Sequence, residues 1–265
     1  MNLPTVAVCN FIPDTEALRK LAVLHGFSGV DWTFRIEDLP RNQSEESRLL
    51  KNISLLNGLE IRYHCAFKGV DLGDEDDRNA DVAMQVFQKV CRIVHGLEGK
   101  FMTVHLGLGR QSPEGLSWER TISSLSELVS YAKGLGVRLC LENLASGWSS
   151  RPQLFEKLIR RTGAGITLDI GHARVCQSVR SWMYELEDFV SPHPDRVFNA
   201  HIYHEEVNDR HVAPESLDDI RTRLDLLASV SCDWWVLELR EDEPLLATLR
   251  AVREYLDNGG YAKFR

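Results

Sequence analysis

The chain has 265 residues, an apolar fraction of 43% and a charged fraction of 26%, which is the composition of an ordinary globular protein. Its formal net charge of -8 provides no general attraction for nucleic acid or an anionic membrane, so we expect neither duplex nucleic acid nor a membrane as partner. No apolar run is long enough to span a bilayer. The first residues lack the basic region and small-residue cleavage site of a secretory signal, so a cytoplasmic location is expected.

The cysteines are scattered and contain no CxxC pair. They are Cys9, Cys65, Cys91, Cys140, Cys176 and Cys232. Most lie inside apolar runs, which is typical of reduced cysteines in the core of a cytoplasmic protein.

Short runs with strand character alternate with longer helical patterns along the chain. The predicted strands span residues 5–11, 29–34, 59–67, 100–107, 137–143, 165–171, 196–204 and 234–240. Several of the helical patterns begin with Asp, Ser or Asn and end at Gly, as helix capping prefers. Eight such units predict an α/β fold, a single (β/α)8 TIM barrel that forms one domain over residues 1–265. A doubly wound open sheet is the alternative, although neither a GxGxxG after the first strand nor a P-loop supports it.

The third to eighth predicted strands all end near a residue that can bind a metal. In chain order these residues are His64, His105, Glu142, Asp169 with His172 just beyond it, His201 with Asp209 and His211 in its loop, and Glu238. The carboxyl ends of barrel strands form one working face, so we expect these side chains to converge. Singly, each could be a core histidine, a helix cap or a loop residue.

The balance of charges at these strand ends favours a metal site over structural ion pairs. Arg240 is the only basic residue near a strand end with inward parity, so acceptors outnumber cationic partners. Mixed imidazole and carboxylate ligands without thiolate suit Zn²⁺, Mn²⁺ or Fe²⁺. In the loops at this face, Arg110, Trp118 and Trp148 are candidate substrate contacts.

The motifs VHLG, LEN, DIGH, DRH and LELR follow one another in an order that resembles the xylose-isomerase-like TIM-barrel superfamily. That superfamily includes sugar (phosphate) isomerases and epimerases as well as endonuclease IV. The endonuclease IV pattern implies three metal positions, and the isomerase pattern implies one. The three positions would be held by His64, His105 and Glu142; by Glu142, Asp169, His201 and Glu238; and by His172, Asp209 and His211.

The resemblance leaves two activities open. The first hypothesis is a metal-dependent sugar or sugar-phosphate isomerase/epimerase, in which Glu142 and Glu238 are metal ligands and the acid/base pair. His172 and Arg240, with Arg110 and Trp148 further out, would then hold the substrate. The alternative is a multinuclear phosphodiester hydrolase acting on a small phosphodiester, such as a cobamide, or on abasic DNA. A non-catalytic metal-binding scaffold is a third reading. We expect one to three divalent ions per chain, with zinc and manganese as candidates, and leave open whether the chain forms a homo-oligomer.

Overall fold

A closed barrel of eight parallel strands forms the centre of the protein, as predicted. The computed structural model describes residues 3–110, 112–230 and 232–264. The barrel strands are β1 (Thr5–Cys9), β2 (Gly29–Phe34), β3 (Glu60–Cys65), β4 (Phe101–Val104), β5 (Arg138–Glu142), β6 (Gly165–Asp169), β7 (Val197–Ile202) and β10 (Trp234–Leu237). They follow one another around the barrel in chain order, and β10 pairs with β1 to close it.

Helices surround the barrel. They are α1 (Thr15–Leu24), α2 (Gln43–Ser54), α3 (Asp77–Gly96), α4 (Trp118–Gly134), α5 (Pro152–Thr162), α6 (Ile170–Val175), α7 (Gln177–Arg180), α8 (Arg221–Ser229) and α9 (Asp242–Asp257). Side chains of Asp14, Asp76 and Ser117 accept backbone N–H groups at the starts of α1, α3 and α4. Gly163 ends α5 at a φ of 75°, a conformation that glycine adopts without strain. None of the helices in the described ranges is both long and apolar enough to cross a membrane.

The strand side chains divide between two layers because successive residues point to opposite sides of the barrel wall. On β2, for example, Val30, Trp32 and Phe34 join the apolar layer between barrel and helices. The barrel interior combines a small apolar cluster, Ala7, Cys9, Trp234 and Val236, with a group of polar side chains. There the amide of Asn199 donates to Thr103 and Thr167 at 3.3 and 3.2 Å. This hydrogen-bonded plug closes the barrel below the strand ends.

Arg62 supports the plug from below. Its Nη1 donates to the Asn199 side chain at 2.8 Å and to the carbonyl of Phe198 at 2.7 Å. The guanidinium also lies over the rings of Phe101 and Trp234, at 4.0 and 4.6 Å from their centres. The lower end of the barrel is therefore a stability element rather than a ligand site.

A feature that the sequence analysis did not predict follows β7. A two-stranded antiparallel hairpin, β8 (Glu205–Val207) and β9 (Arg210–Val212), occupies the segment that was interpreted as a loop. Its turn residues, Asn208 and Asp209, both have positive φ values, 51° and 58°. A two-residue hairpin turn of this hand requires such values. The hairpin folds back over the carboxyl ends of the barrel strands, where it contacts α6.

All six cysteines are buried, as the sequence analysis expected. Burial and the neighbouring Glu238 raise the pKa of Cys9 to about 12. Burial also raises the pKa of Cys91 and Cys140 to about 12. These buried thiols therefore stay protonated in the metal-free chain, as is typical of packing residues.

Candidate active site

The first cluster comprises His64 near the end of β3, His105 directly after β4, and Glu142 at the end of β5. The Nε2 atoms of the two histidines are 3.1 Å apart. Glu142 Oε2 lies 3.1 Å from His105 Nε2 and 3.5 Å from His64 Nε2. All three residues are buried. The predicted first ligand set is therefore brought together, with three donor atoms facing one point.

The central cluster comprises Glu142, Asp169, His201 and Glu238. His201 Nδ1 lies between two glutamates, 3.2 Å from Glu142 Oε2 and 3.1 Å from Glu238 Oε2. Asp169 Oδ2 is 3.9 Å from the same nitrogen. The predicted second set is thus also assembled, and Glu142 is common to both clusters.

The hairpin cluster comprises His172, Glu206 and His211. Glu206 and His211 are direct partners across the β8–β9 ladder, so their side chains share one face of the hairpin. Glu206 Oε2 lies 2.7 Å from His172 Nε2 and 3.9 Å from His211 Nε2. Glu206 was absent from the predicted set.

Asp209, which the sequence analysis placed in this third set, lies elsewhere. It is exposed in the hairpin turn and belongs to none of the metal-competent groups in the described residues. The hairpin pairing explains this position, because residues at the turn point away from the face that carries Glu206 and His211. The structure therefore brings together His172 and His211 of the predicted third set, with Glu206 between them.

In two of the clustered histidines, His105 and His211, the second ring nitrogen is held by a backbone carbonyl. His105 Nδ1 lies 3.2 Å from the carbonyl of Cys65, and His211 Nδ1 lies 2.6 Å from the carbonyl of Glu238. His211 also stacks on Tyr203, with ring centres 3.8 Å apart. Such partners hold the imidazole rings in position and leave their other nitrogens directed at the clusters.

Asn143 couples the fifth and sixth strands at this face. Its amide donates to the backbone carbonyl of Asp169 at 2.9 Å and accepts the Asp169 N–H at 2.8 Å. Asp169 in turn caps α6 by accepting the N–H of His172 at 2.7 Å, and Tyr203 donates to its other oxygen at 3.1 Å. The backbone and both carboxylate oxygens of Asp169 are consequently held in place without a lysine or arginine side chain from the described residues.

The electrostatics of the clusters are those of carboxylates compensated by imidazoles. Burial alone raises the pKa of Glu142, but His201 and His105 outweigh it and hold that pKa well below its usual range. Burial likewise raises the pKa of Glu238, but His201 outweighs it, so that this pKa is also lowered. Burial lowers the pKa of His201 and of His172, whereas the surrounding carboxylates raise both well above the usual value. Within the described residues, no Lys or Arg forms an ion pair with these carboxylates.

Three further predicted substrate contacts, Arg240, Arg110 and Trp148, lie at the rim of the face formed by the strand ends. Arg240 is exposed just beyond Glu238. The Arg110 guanidinium is held by Asp71 at 2.6 Å and approaches Asp74 at 3.4 Å. Asp71 itself is only 5% exposed.

Trp148 packs edge-on against Trp118, with ring centres 5.1 Å apart. The roles of Arg240, Arg110 and Trp148 toward a substrate remain predictions.

Asp31 and Glu206 are the site residues that sequence reasoning missed. Asp31 lies in the middle of β2, 2% exposed, with Oδ2 3.5 Å from His64 Nδ1. The sequence does show this carboxylate inside the apolar run GVDWTF, but it lies in the middle of the strand and the predicted ligands were all sought at strand ends. Glu206 could have been found by reading VNDR as a hairpin turn, since that register pairs residue 206 with residue 211.

The fold and these clusters define a (β/α)8 barrel protein with a carboxylate–imidazole site at the carboxyl ends of its strands. The chain belongs to the xylose isomerase-like TIM barrel family, whose model matches residues 19–258.

One relative is the uncharacterized protein MJ0008 of Methanocaldococcus jannaschii, which is 30% identical over 166 residues, or 62% of this chain and 71% of the relative. The fold is similar to that of a D-tagatose 3-epimerase-like protein, with a TM-score of 0.76 and 18% identity over 96% of this chain and 97% of that one. It is also similar to endonuclease IV from Thermus thermophilus, with a TM-score of 0.67 and 18% identity over 96% of this chain and 100% of that one.

Proposed function

We propose that this chain is a metal-dependent phosphodiester hydrolase that holds more than one divalent cation and acts on a small phosphodiester. The observation that carries the proposal is the continuity of the three clusters. Glu142 belongs to both the first and the central cluster. His172 links the central and hairpin clusters, with Nδ1 3.2 Å from Asp169 and Nε2 2.7 Å from Glu206. Closely spaced metals that share ligands are the arrangement used for phosphoryl displacement.

The residues fit divalent cations. Glu142 Oε2 and both ring nitrogens of His201 are buried without a hydrogen bond among the described residues. Leaving such groups unpaired is costly, whereas a cation compensates them. The donors are imidazole nitrogens and carboxylate oxygens, a set that suits zinc or manganese. Each of the three clusters would hold one ion.

When bound, the cations would supply Lewis acidity that activates water and stabilises negative charge on phosphoryl oxygens. The chain's own contribution is positional. Glu142 would help to hold two of the ions, because it lies in two clusters. Tyr203 keeps its proton, since burial and Asp169 raise its pKa well above the usual value, and its hydroxyl orients Asp169.

A small substrate is favoured over duplex nucleic acid. The net charge is -8, and the rim residue Arg110 is already paired with Asp71 and Asp74. Duplex binding depends on basic side chains that are free to neutralise phosphates.

An isomerase or epimerase, the activity that the sequence analysis placed first, is the second candidate. It is supported by Glu142 and Glu238, which flank His201 Nδ1 at 3.2 and 3.1 Å. Two carboxylates around one metal position could remove and return a proton beside a carbonyl. This chemistry assigns no role to the paired histidines of the first cluster, and for that reason we place it second.

The two functions are separated by metal content and by two assays. The phosphodiester proposal predicts two or three metals per chain, hydrolysis of bis(p-nitrophenyl) phosphate, and a loss of turnover on the order of 100-fold in His105→Ala. His95→Ala is the matched control, because His95 is exposed and remote from the clusters. An epimerase would instead incorporate deuterium from D₂O into ketose substrates, with one metal per chain and little effect of His105→Ala. Metal binding without turnover in either assay would indicate the non-catalytic scaffold.

A further inference from the structure

Asp31 is a buried carboxylate without a lysine or arginine partner among the described residues. It is 2% exposed, and its register neighbour on β3 is Arg62. The Arg62 guanidinium, however, points down to Asn199, Asp233 and the Phe198 carbonyl. The only ion-pairing group beside Asp31 among the described residues is the imidazole of His64. A buried carboxylate persists only when it is compensated, so its position next to His64 calls for an explanation.

The two edges of the His64 ring face different neighbours. Nδ1 lies 3.5 Å from Asp31 Oδ2, on the side toward β2. Nε2 lies 3.1 Å from His105 Nε2 and 3.5 Å from Glu142 Oε2, inside the first cluster. Nδ1 is buried and has no hydrogen bond of ordinary length within the described part of the chain, so the Asp31 oxygen is the acceptor available to it.

His201 also lies close to Asp31. One of its ring nitrogens, Asp31 and His64 form a group whose candidate ligand atoms all lie within 4.8 Å of one another. The rings of His64 and His201 are 5.0 Å apart. Asp31 thus lies on the far side of His64 from the first cluster.

We propose that Asp31 is a positioning residue that accepts the Nδ1–H of His64 and thereby directs the Nε2 lone pair of His64 at a metal in the first cluster. A histidine that binds a metal through one nitrogen commonly donates the other N–H to a carboxylate, which fixes the tautomer and ring orientation. The assignment rests on the proposed metal site, but it does not depend on which reaction that site catalyses.

The test is the zinc affinity of Asp31→Asn, measured by competition with a chelating dye. We expect the affinity of one site to fall by about 10- to 100-fold, with full stoichiometry restored at saturating zinc. Asp71→Asn, which alters a buried carboxylate paired with Arg110, is the matched control and should leave zinc affinity unchanged. Thermal unfolding of the metal-free proteins checks that Asp31→Asn folds, since removal of a buried charge should not lower its Tm.

A double-mutant cycle tests whether Asp31 acts through His64. Asp31→Asn should have no additional effect on zinc affinity in a His64→Ala background. Additive losses, unchanged affinity in the single variant, or loss of a whole zinc equivalent at saturation would each overturn the positioning role. The last result would make Asp31 a ligand itself.

Zinc binding without turnover by the unmodified protein would count against the proposed function alone. Turnover with an unaffected Asp31→Asn affinity would count against this inference alone. A finding that the protein binds no zinc, manganese or other divalent ion would contradict both the proposed function and the role of Asp31.

Discussion

His172 and Glu206 are in direct contact, with Nε2 of the histidine 2.7 Å from Oε2 of the glutamate. The histidine lies in the first turn of α6, the helix after β6, and the glutamate lies on β8 of the hairpin after β7. Burial lowers the pKa of His172, but Asp169 and the glutamates Glu142 and Glu206 outweigh it. The contact therefore attaches the hairpin to the barrel mouth and brings a carboxylate that the sequence analysis missed into the hairpin cluster.

Glu206 and Asp209 can be compared directly, because both are acidic residues of the same hairpin. We expect Glu206→Gln to bind about one metal fewer per chain and to lose turnover on the order of 100-fold. Asp209→Asn should retain both properties, because Asp209 is exposed in the turn. Metal analysis of the purified variants, together with the phosphodiester assay, checks this expectation. The opposite result would restore Asp209 as the ligand.

Glu142 is common to two clusters, so its replacement should affect both. In Glu142→Gln we expect turnover to disappear and metal content to fall by more than one equivalent, since the amide is a poor ligand. The circular dichroism spectrum should be unchanged because the side chains are nearly isosteric. An active Glu142→Gln variant would contradict both the hydrolase and the epimerase proposals.

The stability of the metal-free protein should depend on pH in a defined direction. His201 and His172 have pKa values raised above the ordinary 6.5. Their contribution to folding stability is therefore complete below pH 6.5 and is lost as the pH rises through the raised values. Glu142 and Glu238 have pKa values below the ordinary 4.5. Their contribution to folding stability is therefore present above pH 4.5 and is lost as the pH falls through the lowered values. We expect the highest Tm in EDTA at pH values between 4.5 and 6.5, and a decline as the pH rises above 6.5. A Tm that rises steadily over the alkaline range would refute this account.

The lower end of the barrel should affect stability without affecting the site. Arg62→Met removes the donors to the Phe198 carbonyl and Asn199, and should lower the free energy of unfolding by about 2 to 4 kcal/mol. Arg138→Met is the control: Arg138 is exposed over the Phe198 ring at 4.5 Å, and its loss should cost less than about 1 kcal/mol. Urea unfolding measures the difference, and zinc affinity should be the same in both variants. Weakened zinc binding in Arg62→Met would show that the plug and the clusters are coupled.

The barrel and most residues of the candidate site could be predicted from the sequence alone. Strand and helix periodicities are local properties, and the direction of a parallel strand decides which end faces the mouth. For this reason His64, His105, Glu142, Asp169, His201 and Glu238 could be assigned to one face from their positions alone, and the structure groups them there.

The other residues of the clusters, Glu206 and Asp31, depend on contacts that form only in the tertiary structure. Whether Glu206 or Asp209 joins His172 depends on hairpin register, because a change in the turn reverses which side chains face inward. The sequence shows Asp31 as a carboxylate inside an apolar strand, but its contact with the second edge of His64 exists only once β2 lies beside β3. Both are relationships between separate segments of chain, which depend on how the strands and the hairpin pack rather than on residue spacing.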